Sequence, residues 1–140
     1  MDDLMVVLDD LALMPVRAHD GDAGADLKAA EDAILYPGEV KVIRTGVRMC
    51  IPCGYAGFVR GRSGMTLSGI VVLDGTVDCL YRGEIGVMMT SLKAGPALIR
   101  KGDRIAQLVI APVSRVEWVE SDSLDATGRG EGGFGSTGSS

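Results

Sequence analysis

The sequence predicts an all-β domain, a barrel or sandwich of short strands, on three observations. Apolar and β-branched residues cluster in short alternating runs, Gly, Pro or Asp separates the runs, and only one stretch carries a helical signal. Many short strands at such spacing are the pattern of closed or double-layered β architectures.

The elements follow in chain order. The Pro37-Gly38 turn leads into a strand at Val40–Arg44, and a second strand follows at Val47–Ile51. After Ser63, the stretch Gly64-Met65-Thr66-Leu67 is the one place for a short helix. Asp74-Gly75 lies between two apolar runs and reads as a hairpin turn, which puts Asp78 inside the returning strand. Ile85–Leu92 and Ile105–Val113 are further strands, with a turn at Lys101-Gly102-Asp103 between them, and Val116–Val119 is a last one.

Composition narrows the class. A chain of 140 residues fits one domain, and with 46% hydrophobic but only 4% aromatic residues its core must come from Val, Ile, Leu, Ala and Met. No apolar run approaches the roughly 18 residues that span a bilayer. The Met1-Asp2-Asp3 start is unlike a secretory leader, so a soluble, cytoplasmic protein with no membrane partner is expected. A net charge of −5 excludes a general nucleic-acid binder. Ten of the 14 basic residues are Arg, whose planar fork suits phosphate. The three cysteines make no disulfide framework. Cys50 and Cys53 have the spacing of a redox pair or half a zinc site, but with only Cys79 and His19 as further soft ligands they read as ordinary buried side chains.

Five segments carry chemistry. Ala18 to Leu27 places Asp20, Asp22 and Asp26 within seven residues, without the spacing or closing Glu of a calcium loop. Gly61-Arg62-Ser63-Gly64 offers a guanidinium, a hydroxyl and free N–H groups at a helix start, a plausible phosphate cradle. Asp78 is either a solvent-facing edge residue or a functional carboxylate, since strands disfavour Asp. Gln107, in the strand after Gly102-Asp103, is either a surface side chain or an inward ligand. From Ala126 to Ser140 there are six glycines with Arg129, Phe134, Ser136 and Thr137 among them, a flexible tail or an arm able to grip a base and a phosphate chain.

Taken in order, these segments resemble the five motifs of the homotrimeric dUTPase family: Asp22–Leu27, Arg62-Ser63-Gly64, Gly75-Thr76-Val77-Asp78 through Ile85, Gly102–Leu108, and Arg129–Gly138. The resemblance spans nearly the whole chain. Two positions depart from it. Gly61 stands where the family usually has Pro, and Val72 where many bacterial members have an Asn that touches uracil.

The resemblance implies a distorted jelly-roll-like β-barrel (residues 1–120). It also implies a Gly-rich C-terminal arm (121–140) exchanged between the subunits of a homotrimer, with active sites at subunit interfaces. The implied reaction is hydrolysis of dUTP to dUMP and pyrophosphate, with Mg2+ as cofactor, which limits uracil incorporation into DNA and supplies dUMP for dTMP synthesis. Asp78 is the implied catalytic residue, activating the water that attacks the α-phosphate. Arg62, Ser63, Gly64, Gln107, Arg129, Ser136 and Thr137 are implied on the phosphates. Gly75, Thr76, Val77, Tyr81, Gly86, Phe134 and Gly135 are implied on the nucleoside. Asp26 is implied near the metal through water, since Mg2+ takes most ligands from substrate and solvent. A dCTP deaminase of the same fold is the nearest rival, separated by whether ammonia or pyrophosphate is released.

Overall fold

The computed structural model describes residues 3–135. Its regular elements, in chain order, begin with β1 (Val6–Leu8), a 3-10 turn at Leu11–Leu13, β2 (Gly24–Lys28), β3 (Ala33–Leu35), β4 (Lys41–Arg44), β5 (Val47–Met49) and β6 (Tyr55–Arg60). They continue with α1 (Ser63–Leu67), β7 (Ile70–Val72), β8 (Gly75–Val77), β9 (Gly86–Ser91), β10 (Ala97–Ile99) and β11 (Arg104–Pro112). Every paired strand is antiparallel. A four-stranded sheet runs β2-β11-β6-β8, a three-stranded one β4-β9-β7, and the pairs β1-β5 and β10-β3 complete a distorted jelly-roll-like barrel.

The alternation that predicted strands also places the core. Along β9, Val87, Met89 and Ser91 are buried while Met88 is exposed, and β10 buries Ala97 and Ile99 around an exposed Leu98. The largest fully buried side chains are Leu27, Leu35, Ile43, Ile51, Ile85, Met89, Ile99 and Ile105. None of the six aromatic residues is buried, as the composition required. At the Lys101-Gly102-Asp103 turn, Gly102 takes a φ of 89°, which a Cβ would strain, and the turn hydrogen-bonds back to Ala29.

One buried polar residue fastens two parts of the core. The Thr45 hydroxyl donates to the Ile85 carbonyl at 2.6 Å and accepts from the Val47 N–H at 3.3 Å. Thr45→Val keeps the shape but leaves the Ile85 carbonyl without that donor. The substitution should cost about 1–3 kcal/mol, read from urea unfolding at a fixed protein concentration.

Three expectations are corrected. Asp74-Gly75 is not a hairpin turn. The Leu73 N–H is held by the Met88 carbonyl on the β9 side, whereas Gly75 pairs with Val59 of β6, so the chain crosses here from one sheet to another. Asp78 therefore lies one residue beyond the end of β8 rather than within a strand, and it is exposed. Val116–Val119 is not a strand, because it finds no partner in its own chain. The last strand ends at Pro112, and from there to residue 135 the chain has no helix or strand. Among the described residues no helix is long and apolar enough to cross a membrane.

Candidate active site

The folded chain gathers the predicted residues that precede the arm into two cavities. The first, about 450 Å³, is lined by Asp22, Asp26, Arg62, Ser63, Gly64 and Gln107 among others. Arg62 precedes α1 in an extended conformation, and the first N–H groups of the helix, at Ser63 and Gly64, have no partner within it. The Arg62 side chain is fixed from two sides: Nε lies 3.4 Å from Asp26 Oδ1, and Nη1 donates to the Arg104 carbonyl at 3.0 Å. Arg104 Nη1 reaches the other Asp26 oxygen at 3.3 Å. Asp26, buried in β2, is thus compensated by two guanidinium groups.

Gln107 sits in the middle of β11, opposite Asp26 on β2 and Arg60 on β6. Its Nε2 donates to the Gly61 carbonyl at 3.0 Å, so the side chain points into the cavity. It can lie there because residue 24 has no side chain: a Cβ on Gly24 would meet Gln107 Oε1 at 2.5 Å, closer than real contacts allow. Gly24→Ala should push Gln107 off Gly61. If Gln107 holds phosphate, KM for the nucleotide rises on the order of 10-fold in a steady-state assay, the size of one misplaced charge-assisted hydrogen bond.

The second cavity, about 460 Å³, is lined by Asp74, Gly75, Thr76, Val77, Asp78, Tyr81 and Gly86 with apolar neighbours. Two open strand edges face it. β8 pairs only with β6, leaving its other edge free, and β9 at Gly86 pairs only with Arg44 of β4, since β7 reaches no further than Met89 and the Leu73 N–H. Between them runs the loop from Asp78 to Ile85, pinned at three points. Arg82 Nη1 donates to the Cys79 carbonyl at 2.7 Å, the Tyr81 hydroxyl donates to the Glu84 carbonyl at 2.8 Å, and Glu84 accepts from Arg44 Nε at 3.1 Å and from the Gly46 N–H at 3.1 Å. The hydrogen bond and charge of Glu84 hold the Arg44 guanidinium above its ordinary range. The Tyr81 ring folds over Gly83, where a Cβ would overlap it. Sequence reasoning missed the Arg44–Glu84 clamp, because the two residues lie 40 positions apart and nothing local links them.

One chain does not bring Asp78 to Gln107. Gln107 faces Arg60, whereas Asp78, one step beyond the Val77–Gly57 pair, lies level with Ala56 on the far side of β6. Four residues along a strand and two strand spacings across separate them by about 16 Å. Val72 packs against the core and lines neither cavity. In the arm, Arg129 Nε donates to the Gly132 carbonyl, Phe134 is fully exposed and Gly135 has a φ of 89°. Ser136 and Thr137 lie outside the described residues.

Comparison with known proteins identifies the architecture. The dUTPase family pattern matches residues 10–138. The deoxyuridine 5'-triphosphate nucleotidohydrolase of Thermobifida fusca (strain YX) is 51% identical over 129 residues, covering 89% of this chain and 72% of that protein. The enzyme of the same name from Mycobacterium tuberculosis (strain H37Rv) is 47% identical over 143 residues, covering 96% and 93%. Among solved structures, the Staphylococcus bacteriophage 80alpha dUTPase with dUPNHPP superposes with a TM-score of 0.89 at 33% identity, covering 99% of both chains. A mutant dUTPase from phage phi11 of S. aureus, which coordinates a structural Mg(II) ion, superposes at 0.81 with 30% identity over 87% of this chain and 98% of that one. With a matching pattern over most of its length and relatives near half identity, this chain belongs to the dUTPase family.

Proposed function

We infer that the protein is a dUTP diphosphatase, releasing dUMP and pyrophosphate, and that each of its active sites is shared between copies of the chain. The observation that carries this reading is the separation of Asp78 from Gln107. Water attacking the α-phosphorus must contact its base while the phosphates are held, with reacting atoms about 3–3.5 Å apart. By strand register the backbone positions of Asp78 and Gln107 are about 16 Å apart within one chain. Two copies side by side satisfy both demands, and a closed ring of three repeats the contact without leaving an open edge. The arm supports the same conclusion. Val116, Trp118 and Val119, leading into the arm, and Leu124 within it are 58%, 93%, 82% and 91% exposed, a run of large apolar side chains that its own fold leaves largely uncovered. Laid across a neighbour, residues 121–140 bring Arg129, Ser136 and Thr137 to the outer phosphates and Phe134 to the base.

The chemistry follows from the side chains. Asp78 accepts the proton of the attacking water, a role worth typically 10²–10⁴-fold. Arg62, with its fork oriented by Asp26, together with Ser63, the Gly64 N–H and Gln107, binds phosphate oxygens and holds the chain in line. Uracil enters the slot between the free edges of β8 and β9. There the backbone groups of Gly75 to Val77 and of Gly86 match its N3–H donor and O4 acceptor. Cytosine reverses both and leaves buried groups unpaired, at about 1–3 kcal/mol each. Tyr81 packs under the deoxyribose and rejects a 2′-hydroxyl.

No cluster of three His, Cys, Asp or Glu occurs among the described residues of one chain. Asp22 and Asp26 line the phosphate cavity, and they suit an ion that takes most of its shell from phosphate and water. Mg2+ held there would supply positive charge against the departing pyrophosphate.

The test is pyrophosphate release from dUTP, dCTP, dTTP and UTP, with and without Mg2+. Release from dUTP alone, and only with the metal, is the predicted result. Ammonia from dCTP, or equal hydrolysis of UTP, would contradict it.

A further inference from the structure

Two thiols that this reaction does not use lie side by side behind Asp78. Cys53 is exposed in the turn before β6, Cys79 is buried directly after Asp78, and their Sγ atoms are 3.7 Å apart with both thiols free. Strand register explains the encounter. Continuing the Gly57–Val77 pairing outward sets Tyr55 opposite Cys79, which makes Cys53 and Cys79 diagonal neighbours across the β6–β8 pair. The 26-residue separation hides the pair from the sequence, where Cys53 is matched by spacing to Cys50 instead. Cys53 is therefore neither a buried filler nor half of a local Cys-x-x-Cys motif. Arg115 Nη2 donates to Cys79 Sγ at 3.7 Å, setting a cation beside the sulfur. A cavity of about 370 Å³ lined by Gly54, Tyr55, Asp78, Cys79 and Arg115 opens beside the Cys79 sulfur, and Cys53 is itself exposed.

We propose that Cys53 and Cys79 are an oxidative modification site, closing to an intrachain disulfide under peroxide and thereby slowing the enzyme. The exposed Cys53 sulfur attacks hydrogen peroxide. Its S–O bond forms, the O–O bond breaks, and the departing hydroxide takes the thiol proton as water, leaving a sulfenic acid. The Cys79 sulfur then attacks that sulfur. The S–S bond forms, the S–O bond breaks, and a second water leaves with the Cys79 proton. Two thiols lose two electrons, and the peroxide gains them. The sulfurs must close to about 2.05 Å, and Cys79 moves with the backbone that carries Asp78. The effect on rate rests on the Asp78 reading above, whereas the bond itself does not.

The experiment treats the full chain with hydrogen peroxide, blocks remaining thiols, digests without reduction, and measures peptide masses alongside dUTP turnover. A link between the peptides holding Cys53 and Cys79 is predicted, present in Cys50→Ser, absent in Cys53→Ser, and removed by dithiothreitol. Turnover of the oxidised protein should fall about 10-fold or more, as for a small displacement of a reacting group. It should recover on reduction, and Cys53→Ser should keep its rate through the treatment. A Cys50–Cys53 link, a link between chains, no link, or a linked protein with unchanged turnover would each overturn the proposal. If the reduced protein has no dUTP hydrolysis at all, the functional reading fails, and the peptide masses still report on the pair.

Discussion

Asp78→Asn should lower dUTP turnover by about 10²–10⁴-fold while KM changes little, the loss that follows removal of a positioned general base. The amide keeps the size of the side chain and its capacity to accept a hydrogen bond from water, but it cannot take a proton. The environment of Asp78 suits this role. It is exposed at the mouth of the second cavity, and among the described residues it forms no ion pair. Asp26 is the instructive contrast, because it is buried and has a guanidinium on each oxygen. Asp26→Asn should therefore act through Arg62, raising KM more than it lowers kcat. Steady-state pyrophosphate release distinguishes the two substitutions. Normal turnover in Asp78→Asn would show that another group activates the water.

Ending the chain at Asp125 should lower kcat/KM for dUTP on the order of 10²–10³-fold. The truncation removes Arg129, Phe134, Ser136 and Thr137. Stacking of an aromatic on a base contributes about 1–3 kcal/mol, and hydrogen bonds to charged phosphate about 1.5–3 kcal/mol each. The cost of ordering a glycine-rich segment offsets part of that sum. The barrel itself should be unaffected. From Ser121 to residue 131 every residue is exposed, so the segment adds little to the packing of its own chain. Thermal unfolding of the truncated protein should match that of the full chain, with the loss confined to activity. A truncated enzyme with full kcat/KM would show that the arm is only a tail.

How much of this was legible in the sequence depends on the range of the interaction. Strands such as Lys41–Arg44, Gly86–Ser91 and Arg104–Pro112 were readable because alternation is a local property, and so was the helical turn at Ser63–Leu67. Asp74-Gly75 misled because a turn signal reports a reversal but not which strand the chain meets next. Here β7 joins β9 and β8 joins β6, a choice made by distant partners. Val116–Val119 misled for the opposite reason, since its β propensity is real but it pairs with no strand of its own chain. The site residues were recognised by the order of their motifs along the chain. What that order does not convey is which of them share a cavity. The contacts of Asp26 with Arg62, Gln107 with Gly61 and Cys53 with Cys79 span 36, 46 and 26 positions, and they arise only from the register of β2, β11, β6 and β8.

The most direct test of a site shared between chains mixes two variants that are each inactive, Arg62→Ala and Asp78→Asn. The two are unfolded together, refolded, and assayed for pyrophosphate release from dUTP. In a shared site an intact Arg62 from one chain meets an intact Asp78 from another, and random association in a closed ring restores about a quarter of the wild-type activity. If the mixture stays as inactive as its components, both residues act within one chain, and no active site is shared between copies.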